Sequence, residues 1–199
     1  MRPKVALSSI SPISIASCYA APMSPSSRRR TPAGDATAAG PTEIVPRVYI
    51  ADLATAEDAS VLMQLGVTHV LSAMRGSVSL PTTATPLAYM QIPLQDSPFA
   101  ELAEHLPRAV AFIENGLQDP RTRVVVHCVQ GVSRSASVVC AYLMKAYGWT
   151  PAQAVQFVKS KRPSADPNPG FVTQLGEYYE LLRAPPGGSS NGAAGQRRR

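Results

Sequence analysis

In the stretch VVVHCVQGVSRSAS, five residues separate Cys128 from Arg134, and Ser135 follows directly. A sulfur nucleophile, a glycine-bearing loop and a permanent cation at that spacing suit removal of phosphate through a covalent intermediate. The run Arg123 to His127 is apolar and β-branched, as a buried parallel strand requires, and Ser135 to Met144 reads as a helix. The loop between them joins a strand end to a helix start. Backbone N–H groups there lack helical partners, and with the helix dipole behind them they cradle an anion. Gly131 frees the backbone so that the amides of Val129, Gln130, Gly131, Val132, Ser133 and Arg134 converge on one point. The same field lowers a thiol from about 8.5 toward values as low as about 3.5, so Cys128 is expected to be largely ionised at neutral pH.

Arg134 adds a planar fork that holds two phosphoryl oxygens and stays charged at any working pH. Fixed donors around three equatorial oxygens stabilise the transition state with little reorganisation. Ser135 is placed to donate to the sulfur when thiolate becomes the leaving group, and His127 to orient the loop rather than transfer protons. The bland alternative is that Cys128 is a small buried hydrophobe. That reading leaves the neighbouring histidine, glycine, arginine and serine unexplained. Cys140, on the apolar side of the next helix, reads as core, and Cys18 lies in a tail.

The departing oxygen needs a proton, which a thiolate and an arginine do not supply. Asp96 is the candidate acid. It follows the short strand Met90 to Leu94 and precedes Cys128 by one crossover helix, enough to bring both strand ends to the same sheet edge. Helix capping by Asp96 or Ser97, ahead of a helix opening at Pro98, is a competing and compatible reading.

The supporting elements alternate. Strands are predicted near 44–50, 68–72, 88–93 and 122–127, with helices near 56–65 and 98–117. The helix from Ser135 ends at Gly148. Thr150-Pro151-Ala152-Gln153 forms a capping box for a helix that stops before Pro163, and a last helix spans 169–183. The expected fold is α/β, a mixed and mostly parallel sheet of about five strands in a three-layer α/β/α arrangement. The aromatic residues Phe171 and Tyr178 recur with Leu175 and Leu182 at helical spacing and read as core.

From about Thr42 to Arg183 the chain resembles a dual-specificity protein phosphatase domain of the cysteine-dependent tyrosine phosphatase superfamily. The segments that carry the likeness are Glu43 to Ile50, Leu65 to Leu71, the Asp96 loop, His127 to Met144, Lys161-Arg162-Pro163, Pro167 to Phe171 and Gln174-Leu175. The resemblance implies phosphoester hydrolysis without metal or other cofactor. Cys128 attacks, Arg134 binds phosphate, Asp96 protonates the leaving group and then activates water, Ser135 assists thiolate departure, and Asn168 braces the loop. Ala51-Asp52-Leu53 stands where the family often has a glycine and a serine, and Ser72-Ala73 where an asparagine commonly follows the strand. Gln130 argues against the lysine-bearing loops of inositol lipid phosphatases. There is no room for the rhodanese-like regulatory domain of MAP kinase phosphatases, which points to the small, atypical subgroup.

A formal charge of +6 suggests nucleic acid until it is divided. The first forty residues carry five basic residues and one acidic, the last sixteen carry three arginines, and the middle holds 11 basic against 12 acidic. A near-neutral middle argues against a nucleic-acid groove. The expected partner is a phosphorylated protein; a phosphoinositide, phosphoglycan or RNA 5′ end, or a phosphate-binding role with incidental turnover, are the alternatives. Residues 1–41 and 184–199 are expected to be disordered, flanking a catalytic domain at 42–183. Three cysteines, one needed as thiolate, suit a reducing cytoplasmic or nuclear compartment; the basic, Ser-rich leader offers organelle targeting as the alternative. No segment approaches the roughly 20 apolar residues of a membrane span. Lys159, Lys161 and Arg162 read as added positive charge near the pocket or as a solvated helix face.

Overall fold

The computed structural model describes residues 40–83 and 86–184. The expectations for the leader, for Cys18 and for the arginine-ended tail lie outside them.

The strands, in chain order, are β1 (Thr42–Val45), β2 (Val48–Ala51), β3 (His69–Ala73), β4 (Ala88–Ile92) and β5 (Val124–His127). They form one sheet in the order β1-β2-β5-β3-β4, antiparallel only between β1 and β2. The sheet is thus mixed and mostly parallel, as expected. The Pro46-Arg47 turn breaks the single strand expected over 44–50 into a hairpin, with Arg47 in the left-handed region at φ 72°. The guanidinium of Arg47 repays that strain by donating to the carbonyls of Asp119 at 2.9 Å and Leu117 at 3.4 Å.

Side chains alternate across each strand and divide the core in two. Ala51, Val70 and Val125 face Leu62 and Val67 on one side of the sheet. Val48, Ile50, Leu71, Val124 and Val126 face the helical layer on the other. The thin layer holds α1 (Leu53–Glu57) and α2 (Ala59–Leu65). Asp58 divides what the sequence suggested was one helix: it ends α1 and its carboxylate caps α2 through Ser60 N and Val61 N.

The thick layer holds α3 (Leu102–Gly116), α4 (Arg134–Tyr147), α5 (Pro151–Lys161) and α6 (Pro169–Arg183). Every residue of α4 from Ser135 to Met144 is buried, so this helix is the axle on which the others pack. The capping box of α5 forms as predicted, and Gly148 closes α4 in the left-handed conformation at φ 69°. Helix α3 opens at Leu102 rather than Pro98, because residues after Asp96 turn back on themselves through Ser97 Oγ and Phe99 N. Neither Asp96 nor Ser97 caps it. The Gln174 amide of α6 does so instead, accepting from Ala103 N at 2.9 Å and donating to Ala100 O at 2.8 Å. Among the described residues no helix is long and apolar enough to cross a membrane.

Candidate active site

Parallel strands β4 and β5 run in the same direction with β3 between them, so the segments leaving their C-terminal ends emerge on one edge of the sheet. That edge brings the Asp96 turn to the loop between His127 and Arg134. Cys128 is 1% exposed at the end of β5. Its sulfur accepts from Gly131 N at 3.2 Å and lies 3.3 Å from Ser135 Oγ.

Three of the loop's carbonyls are held outward, which turns the amides that follow them inward. Val129 O accepts from Leu53 N at 3.2 Å, Gly131 O from Arg162 Nε at 2.9 Å, and Val132 O from Asp166 N at 2.9 Å. Gly131 sits at φ 68°, and a β-carbon there would lie 2.7 Å from Ala51 O. Only glycine meets both demands.

The N-terminus of α4 is left uncapped. Ser133 occupies the cap position without a side-chain bond to the helix, and no acidic residue lies in the first turn. Its hydroxyl instead donates to Asp96 Oδ1 at 2.8 Å and accepts from Asn168 N at 3.1 Å. A buried helix start with unpaired donors and a positive dipole end is an anion site. Arg134 strengthens it. Its side chain is 12% exposed, and Nε is buried without a hydrogen-bond partner, facing Asp96 Oδ2 at 3.5 Å.

These contacts set the state of the sulfur. Burial pushes the Cys128 thiol up, but the Ser135 hydroxyl, the amides of Ser135 and Val132 and the Arg134 charge outweigh it, and the net shift is downward. Cys140 shows the opposite case: buried in α4 with nothing to offset burial, it is pushed up to about 12. One thiol is shifted down and the other up, in the directions their sequence surroundings suggested.

Asp96 is exposed at the rim, and Asn168 Nδ2 donates to its Oδ1 at 2.9 Å alongside Ser133. With Oδ1 held twice, Oδ2 is left facing Arg134 Nε at 3.5 Å. Asn168 also caps α6 through Phe171 N at 3.0 Å, so one side chain starts a helix and anchors Asp96. The sequence expectation gave Asn168 to the loop alone; the structure has it serve both sides of the cleft. His127 is fully buried, and burial lowers its pKa, so the ring is neutral.

Arg162 corrects the reading of the basic run. It is 2% exposed, donating to Gly131 O, to Gly40 O at 3.0 Å and to Thr42 Oγ1 at 2.8 Å. Of the two readings, positive charge near the pocket holds for Arg162 and the solvated face does not: it is a buried strut behind the loop, close enough to interact with Cys128. Its place after the last turn of a basic helix hid it, and only the adjoining Pro163 marks the chain as leaving the helix there. Lys159 pairs with Asp166 at the surface, and Lys161 lies over the Phe157 ring. Among the described residues no group of three metal-ligating side chains gathers.

The family profile described as dual specificity phosphatase, catalytic domain, matches residues 48–181. The chain belongs to the dual specificity phosphatase family. It is 39% identical over 146 residues to Mus musculus dual specificity protein phosphatase 13B, covering 71% of this chain and 73% of that one. Arabidopsis thaliana dual specificity protein phosphatase 1 is 38% identical over 143 residues, at 72% and 71% coverage. The crystal structure of human DUSP28 superposes with a TM-score of 0.65 at 34% identity, covering 72% of this chain and 95% of that one. The protein is therefore a cysteine-dependent phosphoester hydrolase of the dual specificity class, on the fold its sequence pattern implied.

Proposed function

We propose that this phosphatase dephosphorylates phosphotyrosine and phosphoserine or phosphothreonine in proteins, with Cys128 as nucleophile. Cys128 Sγ attacks phosphorus in line with the leaving oxygen, forming an S–P bond as the P–O bond breaks. Arg134 and the inward amides from Val129 to Arg134 hold the three equatorial oxygens throughout. Asp96 passes its proton from Oδ2 to the departing oxygen, which leaves as an alcohol or phenol. Water then attacks the cysteinyl-phosphate, giving its proton to the Asp96 carboxylate, and the S–P bond breaks. The electron pair returns to sulfur, where the Ser135 hydroxyl, 3.3 Å away, donates to the reborn thiolate.

The observation that carries this reading is one buried sulfur that meets Gly131 N and Ser135 Oγ and lies in the field of Arg134, whose buried Nε has no hydrogen-bond partner and faces Asp96. The names of the relatives support protein substrates, and Gln130 leaves the loop without the extra cation an inositol ring would use. An intact Cys128, Arg134 and Asp96 support turnover over simple phosphate binding.

Hydrolysis of p-nitrophenyl phosphate, phosphopeptides, inositol lipids and triphosphorylated RNA by wild type, Cys128→Ser and Asp96→Asn tests the reading. Cys128→Ser should abolish turnover on every substrate. Asp96→Asn should slow peptides carrying the poorer alkoxide leaving group by about 10² or more, and nitrophenyl phosphate far less. Unaltered turnover by Cys128→Ser would end the mechanism, and a preference for lipid or RNA over phosphopeptide would end the substrate assignment.

A further inference from the structure

The structure assigns Ser72 a positioning role: its hydroxyl fixes His127 in the tautomer that lets the ring hold the Cys128 carbonyl away from the sulfur. This rests on the phosphatase reading of Cys128 and adds a residue to it. The β3–β5 register sets Ser72 directly opposite His127, and both are fully buried. Nδ1 of His127 lies 3.3 Å from Cys128 O. A carbonyl only accepts, so Nδ1 carries the hydrogen. Nε2 of the neutral ring is then a bare acceptor in a dry interior, and it needs a donor. Ser72 Oγ, 2.5 Å away, is that donor.

The consequence reaches the reaction through peptide geometry. In a trans peptide the carbonyl and the following N–H point in opposite directions. Anchoring Cys128 O therefore turns Val129 N–H toward the cradle and polarises it. Without the Ser72 hydroxyl, Nε2 is a buried orphan, and the ring is free to switch to the Nε2–H form. In that form the Nδ1 lone pair faces the Cys128 oxygen and repels it. The charged groups acting on this pair are few: Asp52 and Glu57 on His127, Arg134 and Arg162 on Cys128. None of them supplies the missing donor.

The test is the pH profile of kcat/KM on p-nitrophenyl phosphate for wild type, Ser72→Ala and Ser72→Thr, with melting temperatures alongside. Ser72→Ala should move the acidic limb, set by the Cys128 thiol, upward by about half a unit to one unit, which is about three- to tenfold less turnover below the limb. Ser72→Thr keeps a hydroxyl and should keep the wild-type limb. A limb that stays in place while Ser72→Ala melts lower would reduce Ser72 to packing and overturn the assignment. The 15N resonances of His127 in the wild-type protein decide the matter independently, including where Ser72→Ala does not fold. Protonated Nδ1 with bare Nε2 supports the assignment, and the opposite tautomer overturns it. Loss of the phosphatase reading itself would show separately, as turnover that survives Cys128→Ser.

Discussion

Gly131→Ala isolates the demand that the phosphate loop makes on its backbone. Alanine at φ 68° pays the left-handed penalty of about 1–2 kcal/mol. Its β-carbon would also lie 2.7 Å from Ala51 O and 2.8 Å from Arg162 Nη2, where ordinary contact begins at 3.4 Å. The loop must therefore yield by at least half an ångström, and it cannot do so toward β2, whose Ala51 pairs with His127 in the sheet. It yields inward, carrying Gly131 N off its 3.2 Å contact with sulfur and loosening the Arg162 strut. A misplacement of this order at reacting atoms costs up to about 10²-fold in rate. We expect kcat/KM on nitrophenyl phosphate to fall about 30- to 100-fold, and vanadate to bind correspondingly weakly. At roughly 0.3 kcal/mol per kelvin for a domain of about 140 residues, a total cost of about 1–3 kcal/mol lowers the melting temperature by about 3–10 °C. Gly148→Ala is the internal control. It carries the same backbone strain at φ 69°, but its β-carbon meets nothing within 4 Å, and it lies at the far end of α4. It should melt lower by about 3–6 °C with activity unchanged. If Gly131→Ala keeps activity within about threefold of wild type, the close approach of loop and sheet does not set the cradle, and the argument fails.

Two further outcomes follow from bonds around the cleft. Asn168→Ala should lose the α6 cap, about 1 kcal/mol or about 3 °C, and slow substrates with poor leaving groups. Asn168→Asp keeps the cap but cannot donate to Asp96, so it should melt near wild type while retaining the turnover defect; wild-type turnover would leave Asn168 a cap alone. The second outcome is a loss of stability in acid. Burial keeps His127 neutral in the fold below its ordinary 6.5, whereas the unfolded chain takes up the proton there. Stability is thus intact above about pH 6.5 and falls by up to about 1.4 kcal/mol per unit below it, until the lowered native value is passed. Urea titrations at pH 7.5 and 5.5 should show the loss in wild type and a shallower one in His127→Asn, with half-buried His69, shifted the same way, supplying part of what remains. A wild-type stability that does not change across that interval refutes the neutral, buried ring.

The parts legible in the sequence were those fixed by local chemistry. Thr150 and Gln153 form their box within one turn, Gly148 ends a helix by its own conformation, and the apolar run before His127 admits only an interior strand. What stayed hidden depends on distant partners. Arg47 adopts a left-handed turn because carbonyls of Leu117 and Asp119 wait for its guanidinium, and nothing near residue 47 announces them. Helix α3 is capped from Gln174, 71 residues on. Ser72 was a departure from the family pattern until the sheet register set it against His127. Arg162 read equally as charge near the pocket or as a solvated face, and only its distant partners Gly131, Gly40 and Thr42 decide between them.

The outward carbonyls explain why so much of the domain is spent on seven residues. A loop whose amides all point inward exposes its carbonyls, and each buried carbonyl needs a donor. The donors come from three places: α1 through Leu53, the α5–α6 connection through Asp166, and the end of α5 through Arg162. Arg162 is in turn held by Gly40 O and by Oγ1 of Thr42, the first paired residue of the sheet. The loop is thereby linked to the start of β1 and to Gly40 ahead of it. The strut therefore draws on Gly40, two residues ahead of the boundary that the sequence suggested and eight ahead of the family match. A chain begun at Val48 would keep Cys128, Arg134 and the loop between them and still lose two of the oxygens that hold Arg162, and with them the grip on Gly131 O that turns the following Val132 amide toward the sulfur.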